Sequence, residues 1–181
     1  MDTGLANTIL AEADCIVDAA ACRAAVERLA RDIKAAVGTE APLMLAVMGG
    51  ATVFAGQLLP LLDFPLDFDY IHVSRYGGAT TGGQLAWKVE PKETVKGRTV
   101  IVLDDILDEG ETMHAIRERI LELGAARFLA AVFCEKDLGR AKPVRADFTG
   151  VMVPNRYVFG YGMDVNGLWR NLPAVYAVRG M

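Results

Sequence analysis

Three runs of consecutive apolar residues, with no alternation of polar and apolar positions, predict strands that are buried on both faces. The runs lie at Leu43–Met48, at Val100–Leu103 and within Arg127–Cys134. Such runs are typical of parallel sheets whose two faces are covered by helices. Weaker strand patterns lie at Asp69–Arg75, Leu85–Val89 and Ala174–Val178.

Helical periodicity separates the predicted strands. Between Asp18 and Val37, apolar side chains recur every three or four residues, as on one face of a helix, and Gly38 supplies a stop. Strands that alternate with helices predict an α/β fold with a central, mostly parallel sheet flanked by helices. The length of 181 residues fits a single domain. Further helices are predicted over Asp2–Ala13, from about Thr52 to Leu62 and from Met113 to Leu123.

The apolar run at Val100–Leu103 is followed at once by a cluster of acidic residues around Gly110, which predicts a strand, an acidic turn and a helix N-terminus. Ligands of open parallel sheets bind at the carboxyl ends of strands, and a glycine turn that opens a helix binds phosphate. Carboxylates accept hydrogen bonds from sugar hydroxyls, hold Mg²⁺ or transfer protons. A solvated acidic loop is the plainer alternative. The cluster comprises Asp104, Asp105, Asp108, Glu109 and Glu111, followed by Thr112.

The segment Val100–Thr112 resembles the phosphoribosyl-diphosphate motif of type I phosphoribosyltransferases. It has four apolar residues, two acids, two apolar residues and then Asp-x-Gly-x-Thr. Later segments narrow the resemblance to the hypoxanthine-guanine phosphoribosyltransferase family. The resemblance implies purine salvage: transfer of a 5-phosphoribosyl group from 5-phosphoribosyl 1-diphosphate to hypoxanthine or guanine, with Mg²⁺, giving IMP or GMP and pyrophosphate.

The same resemblance implies a role for each polar residue of this motif. Asp104 and Asp105 hold the ribose hydroxyls, directly or through Mg²⁺, and Asp108 takes a proton from the purine. The two glutamates add negative charge beside a phosphate, so their side chains are expected to point outward while the backbone binds. The 5′-phosphate is bound by Asp108, Glu109, Gly110, Glu111 and Thr112.

Three segments are expected to bind the pyrophosphate group by their match to the family. Met48-Gly49-Gly50 stands where the family has Lys-Gly-Gly, so only the backbone contact can be retained. Arg75-Tyr76 stands where the family has a Ser-Tyr pair, which implies a mobile closing loop over about residues 75–86; an ordinary hairpin is the alternative. Arg170 matches an arginine of the family that meets pyrophosphate.

The segment Val151–Asp164 resembles the family's purine-binding segment, in which a proline and two polar residues precede aromatic-Val-x-Gly-Tyr-x-x-Asp. The match implies that Tyr157 stacks on the purine, that Val158 contacts the base edge through its backbone, and that Asp164 lies beside the base and helps to hold the metal. Aromatic stacking tolerates several purines; ordinary strand aromatics are the alternative. A small hood is also expected to close over the base, formed mainly by residues 145–181; a contribution from the N-terminal residues is left open.

A basic residue ahead of this segment is expected to donate a hydrogen bond to the purine oxygen. The family has a lysine shortly before an Asp-Phe-x-Gly segment, which here is Asp147–Gly150. Arg145 occupies that position, and Lys142 is the alternative donor.

Composition and charge bear on the class of function. The net charge of −4, without a basic stripe, argues against general nucleic-acid binding, and no apolar run approaches the roughly 20 residues of a membrane span. Cys15, Cys22 and Cys134 form no CxxC pair, which favours reduced thiols in the cytoplasm. An apolar fraction of 52%, together with the resemblance, predicts a homodimer or homotetramer.

The main alternative function is a non-catalytic regulator on the same fold that senses 5-phosphoribosyl 1-diphosphate. The acidic balance argues against a regulator that binds nucleic acid. The purine segment from Tyr157 to Asp164 favours an enzyme.

Overall fold

The computed structural model describes residues 2–75 and 85–180, which form a large sheet, a small sheet and the helices around them. The α-helices are α1 (Thr3–Glu12), α2 (Ala19–Val37), α3 (Thr52–Leu58) and α4 (Glu111–Glu122). The strands are β1 (Asp14–Val17), β2 (Leu43–Val47), β3 (Asp67–Arg75), β4 (Leu85–Val89), β5 (Thr99–Leu107), β6 (Arg127–Lys136), β7 (Phe148–Val153), β8 (Val158–Phe159) and β9 (Val175–Ala177). Short 3₁₀ turns lie at Leu59–Leu61 and Glu93–Val95.

The large sheet has the strand order β4-β3-β2-β5-β6-β7. Its strands are parallel except β4, which pairs antiparallel with β3 at one edge. The prediction of an α/β fold with a central, mostly parallel sheet is therefore confirmed. Because β2 and β5 pair in parallel register, from Leu43 opposite Val100 to Ala46 opposite Leu103, the segments that follow them leave the sheet side by side.

Side chains of each central strand alternate between two apolar cores, one on each face of the sheet. In β2, Met44 and Ala46 pack in the core that contains α2 and α3, whereas Leu43, Leu45 and Val47 pack in the core that contains α4. Both sets are buried because helices cover both faces. This double coverage explains why the predicted central strands show no polar alternation.

The amphipathic pattern of α2 is also confirmed. Val26, Leu29 and Ile33 are buried in the first core, and the Asp18 carboxylate caps the helix by accepting the Ala21 N–H at 2.8 Å. Within the described ranges, no helix has both the length and the apolar character needed to cross a membrane.

The central strand is longer than its apolar run predicts. β5 continues to Leu107, and its ladder with β6 pairs Asp104 with Val132. The prediction of an acidic turn directly after Leu103 is therefore wrong, because backbone pairing carries the strand through the first two acids. The turn begins at Asp108.

The small sheet is antiparallel and has the order β1-β9-β8. β1 has no counterpart among the predicted strands, because four residues are too few to show a period. The Tyr161 ring, just after β8, stacks on Phe133 of β6 with ring centroids 3.8 Å apart. Trp169 Nε1 donates to the Ala6 carbonyl of α1 at 2.9 Å. These contacts attach the segment after β8 to the large sheet and to α1.

Candidate active site

The carboxyl ends of β2 and β5 and the start of α4 enclose a cavity of about 350 Å³. It lies at the edge of the sheet where ligands of open parallel sheets bind. Of the phosphate-binding residues expected from the sequence, Glu111 is exposed and lies outside the lining. Eleven residues singled out in the sequence do line the cavity: Met48, Gly49, Gly50, Asp104, Asp105, Asp108, Glu109, Gly110, Thr112, Asp164 and Arg170.

A second cavity, of about 230 Å³, adjoins the first and shares Asp105, Asp108 and Asp164 with it. Its other walls include Tyr157 and Val158. The Tyr157 side chain is partly exposed, with its hydroxyl 3.4 Å from the Asp164 carbonyl oxygen. A ring at the wall of an open cavity can stack on a planar ligand. The two cavities are called the cleft from here on.

The acidic turn ends at Gly110, which opens α4 with a φ of 87°. Glycine adopts this left-handed conformation readily, and a Cβ at this position would also press on Pro143 and Lys142 at 3.2 and 3.3 Å. Because Gly110 and Thr112 line the cleft, the positive end of the α4 dipole lies at its wall. Phosphate groups bind at such helix ends.

Asp104 and Asp105 are held in an environment that disfavours their charge. Asp104 is only 8% exposed, and burial, reinforced by the charge of Asp105, raises its pKa well above the ordinary value. Burial also raises the pKa of Asp105, although its hydrogen bond with Asp104 and the Arg170 guanidinium 3.9 Å away act to lower it. Both carboxyls therefore gain from a ligand that supplies positive charge or hydroxyl donors.

Lys136 is a basic residue of the cleft that sequence reasoning missed. It ends β6, its side chain is only 12% exposed, and its Nζ lies 2.7 Å from Asp108 Oδ2. It lines the second cavity together with Tyr157, where its ammonium can donate to an oxygen of a stacked ligand. Extending the predicted strand by two residues beyond Cys134 would have placed Lys136 at the carboxyl edge of the sheet, beside the acidic turn.

The chain matches proteins of known family along most of its length. Residues 12–166 match the family model of the phosphoribosyl transferase domain. The hypoxanthine-guanine-xanthine phosphoribosyltransferase of Tritrichomonas foetus is 36% identical over 83% of this chain and 82% of its own. The chain belongs to the hypoxanthine-guanine phosphoribosyltransferase family. The hypoxanthine-guanine phosphoribosyltransferase of Streptococcus pneumoniae is 33% identical over 74% of this chain and 75% of its own.

Solved structures from the hypoxanthine-guanine phosphoribosyltransferase family have the same fold. A hypoxanthine-guanine-xanthine phosphoribosyltransferase superposes with a TM-score of 0.77 at 29% identity, covering 92% of this chain and 94% of that chain. A hypoxanthine-guanine phosphoribosyltransferase from Bacillus anthracis superposes with a TM-score of 0.82 at 25% identity, covering 91% of this chain and 96% of that chain.

The loop after β2 departs from the family pattern at Met48, which stands in the lysine position. The peptide between Met48 and Gly49 is cis, and the Thr52 hydroxyl donates to the Gly49 carbonyl at 2.8 Å. The loop therefore offers backbone rather than an ammonium to a ligand. Of the expected closing loop, Arg75 ends β3, while its side chain and Tyr76 lie outside the described residues.

Two glycines bring separate segments of the cleft into direct contact. A Cβ on Gly50 would overlap the Asp105 carboxylate, and a Cβ on Gly162 would overlap the Gly50 carbonyl oxygen. Arg170 donates to the Gly162 carbonyl at 2.6 Å and forms an ion pair with Asp164. The loop after β2, the acid pair and the arginine are thus held in place by approaches that larger residues would prevent.

The two basic residues expected at the purine lie elsewhere. Arg145 is exposed and lines a neighbouring cavity of about 310 Å³ rather than either part of the cleft. Lys142 is buried and donates to the Leu107 carbonyl at 2.9 Å, with Glu135 Oε1 3.4 Å away. Of the basic side chains that the structure describes, Lys136 is the one that lines the second cavity together with Tyr157.

The carboxylate oxygens at the cleft are ligands that suit Mg²⁺. Across residues 2–75 and 85–180, however, no three His, Cys, Asp or Glu side chains form a group that could hold a metal ion. Asp164 instead accepts the Gly167 N–H at 2.6 Å and pairs with an arginine. The expected set of Asp104, Asp105 and Asp164 is therefore not assembled as one site. The adjacent pair alone fits Mg²⁺ that is shared with substrate phosphates, a common binding mode of this ion.

Proposed function

We propose that the protein transfers the 5-phosphoribosyl group of 5-phosphoribosyl 1-diphosphate to hypoxanthine or guanine, a reaction of purine salvage. The products are IMP or GMP and pyrophosphate. The observation that carries the proposal is the cleft itself, which combines a helix N-terminus, a buried acid pair and an aromatic wall with an ammonium group. The curated relatives have enzyme names, which favours an enzyme over a regulator on the same fold.

The 5′-phosphate binds at the turn from Asp108 to Thr112. The α4 dipole and the backbone N–H groups at the helix start attract its negative charge. The acidic side chains of this turn take no part in holding the phosphate, since carboxylates repel it. The left-handed Gly110 lets the backbone approach the phosphate closely.

The ribose hydroxyls bind at Asp104 and Asp105. As the bond between C1′ and the diphosphate breaks, positive charge develops on the ribose, and the two carboxylates stabilise that charge. Mg²⁺ that arrives with the diphosphate supplies neutralisation of the leaving group. Arg170 and the backbone at Gly49 face the departing diphosphate. The Arg75-Tyr76 pair, expected to contact it as well, lies outside the described residues apart from the Arg75 backbone.

The purine stacks on Tyr157, with the Val158 backbone at its edge and Lys136 donating to its oxygen. Asp108 accepts the proton from purine N7 as N9 attacks C1′. Because Lys136 Nζ lies 2.7 Å from Asp108 Oδ2, the same ammonium serves the carboxylate and the purine oxygen. This arrangement couples binding of the base to the position of the proton acceptor.

The small sheet is proposed as the hood over the base. It carries β8 directly after Tyr157, and the Tyr157 carbonyl accepts the Val178 N–H at 2.9 Å. The hood expected over residues 145–181 therefore gains β1, which pairs with β9. Closure of this unit over the cleft would exclude water from the bond that breaks.

We also propose a homo-oligomer that acts in the cytoplasm. Phe68 and Tyr70 are exposed apolar side chains on the same face of β3, and contact with a second copy would bury them. Cys15, Cys22 and Cys134 are free thiols, which suits a reducing compartment.

The proposed activity is tested by incubating the purified protein with 5-phosphoribosyl 1-diphosphate, Mg²⁺ and one base at a time. Pyrophosphate release is followed with hypoxanthine, guanine, xanthine and adenine side by side. We expect release with hypoxanthine or guanine, formation of the matching nucleotide, and loss of both on addition of EDTA. A protein that binds the sugar diphosphate but releases no pyrophosphate with any base would be a regulator.

A further inference from the structure

The turn proposed to bind phosphate contains a residue that works against that role. Glu109 lines the first cavity beside Gly110, where a carboxylate free to rotate would repel a phosphate dianion. The carboxylates of Asp108 and Glu111 flank it in the chain. The negative charge of Glu109 must therefore be held away from the helix start or neutralised for the turn to bind an anion.

The end of β6 and the loop after it place three basic side chains against this turn. Lys142 donates to the Leu107 carbonyl at 2.9 Å, Lys136 pairs with Asp108 at 2.7 Å, and Arg140 forms an ion pair with Glu109. Three consecutive residues, the last of β5 and the first two of the turn, are thus each held by one cation from the end of β6 or the loop that follows it.

The Arg140 pair differs from the other two in its exposure. Its side chains are 60% and 40% exposed, whereas Lys136 and Lys142 are largely buried. An exposed ion pair contributes little to folding stability. Its position beside the helix start matters more, since it determines where the Glu109 charge lies relative to an incoming phosphate.

We propose that Arg140 is a positioning residue for phosphate binding. Its guanidinium neutralises the Glu109 carboxylate at the wall of the cavity, and so allows an acidic turn to bind the 5′-phosphate of the substrate. The inference rests on the proposed function, because that function supplies the ligand. Arg140 acts through Glu109 and contacts no reacting atom.

The test compares wild type with Arg140→Ala, Arg140→Lys and the double variant Glu109→Gln/Arg140→Ala. In Arg140→Ala we expect KM for 5-phosphoribosyl 1-diphosphate to rise on the order of tenfold, since an unpaired charge lies beside a dianion. The value of kcat and the KM for the base should change little. The double variant should recover the wild-type KM, because it no longer carries the charge that Arg140 offsets. Arg140→Lys should retain most of the affinity.

Two further measurements separate positioning from a general structural effect. The defect of Arg140→Ala should shrink as salt is raised, since it arises from exposed charges, and its melting temperature should stay near that of wild type. Binding of ribose 5-phosphate, measured by calorimetry, should weaken in the same variant without any turnover being needed. Arg127→Ala, which removes an exposed arginine paired with Glu40, is the matched control and should leave KM unchanged.

The outcomes are distinguishable from failure of the function itself. A wild-type protein that neither turns over nor binds ribose 5-phosphate would overturn the proposed function and this inference with it. An active wild type with an unaltered Arg140→Ala variant would overturn the inference alone. A double variant as weak as Arg140→Ala would also overturn it, since the arginine would then act on the phosphate itself.

Discussion

Asp108 lies where the two cavities of the cleft meet, and its carboxylate is paired with Lys136 at 2.7 Å. Asp104 and Asp105 differ from it, because they lie within β5 and are 8% and 14% exposed, whereas Asp108 begins the turn and is half exposed. Within a few residues of chain, the cleft thus has carboxyls that differ clearly in their access to solvent.

Asp108→Asn should remove the proton acceptor and leave the rest of the cleft in place. We expect kcat to fall by about 10²–10⁴, the usual range for loss of a general base. The KM for the sugar diphosphate should change little, because the amide keeps the shape of the side chain. Steady-state kinetics check this, with surface Asp32→Asn as control; unchanged kcat would remove Asp108 from the chemistry.

Lys136→Met should keep much of the volume of the side chain and remove its charge. We expect a KM for the base that is higher by about tenfold, since a hydrogen bond to a charged donor is lost. Affinity for ribose 5-phosphate should stay near wild type. Kinetics with hypoxanthine, together with calorimetry, check the prediction, and a base KM equal to that of wild type would refute the assignment.

Asp104→Asn should show by how much the buried carboxylate lowers the free energy of unfolding at neutral pH. Folding raises the pKa of Asp104. At pH values above the pKa that this carboxyl has in the unfolded chain, the folded protein therefore binds more protons than the unfolded chain does. The free energy of unfolding is therefore highest below the pKa of the unfolded state, and it falls as the pH rises toward the pKa of the folded state. The variant should melt above wild type at neutral pH, by about 2–4 °C for each kcal/mol gained, and match it near pH 4.

Melting curves from pH 4 to pH 8 in EDTA check this prediction, with Asp32→Asn measured alongside. A difference between Asp104→Asn and wild type that does not grow with pH would contradict the proposed burial of charge. Turnover should fall in the same variant, so stability and activity are expected to change in opposite directions.

At the scale of elements, the strands and helices that could be predicted are those whose hydrophobic pattern in the sequence matches the side chains that are buried in the fold. The central apolar runs and the stripe of α2 are of this kind, because coverage of both sheet faces imposes the pattern directly. The end of β5 could not be predicted from hydrophobicity, because Asp104 and Asp105 are polar and interrupt the apolar run although the strand continues through them. Lys136 was missed for a related reason: it is charged, yet it belongs to β6 and pairs with Val153 of β7.

Spacing along the chain did not predict which basic side chain lines the cleft. Arg145 has the sequence position of the family lysine, yet the loop after β6 turns it outward. The approach of Gly162 to Gly50 is likewise invisible in the sequence, because the two residues meet only when the small sheet is in place.

Gly162→Ala tests this approach between elements. Gly162 has a φ of 102°, and a Cβ there would overlap the Gly50 carbonyl oxygen. Gly167 is the matched control, since its φ is 86° and a Cβ would meet nothing within 4 Å. We expect Gly167→Ala to cost about 1–2 kcal/mol from backbone conformation alone.

Gly162→Ala should lower the free energy of unfolding more than the control does, by at least about 1 kcal/mol. The steric overlap with the Gly50 carbonyl oxygen adds to the cost of the backbone conformation. It should also lower turnover, since Arg170 is held through the Gly162 carbonyl. Urea unfolding and kinetics of both variants check the pair. Equal losses of stability would show that the contact with Gly50 has no energetic role.

At the scale of the whole molecule, the exposed face of β3 is the feature that bears on assembly. Phe68 and Tyr70 expose ring surface that a second copy would cover, and such patches mark contact sites. We expect wild type to sediment as a dimer or tetramer and Tyr70→Glu to shift toward monomer. Leu5→Glu, at an exposed apolar residue of α1, is the control; a monomeric wild type would contradict the proposal.

The pairing of β1 with β9 has a consequence for synthesis of the protein. Asp14–Val17 leaves the ribosome long before its partner Val175–Ala177, a delay on the order of ten seconds at ordinary elongation rates. The strands of the large sheet precede β9 in the chain, whereas the Tyr157 carbonyl still lacks the Val178 N–H that it accepts. The strands of the large sheet can therefore pair before β9 is available to β1.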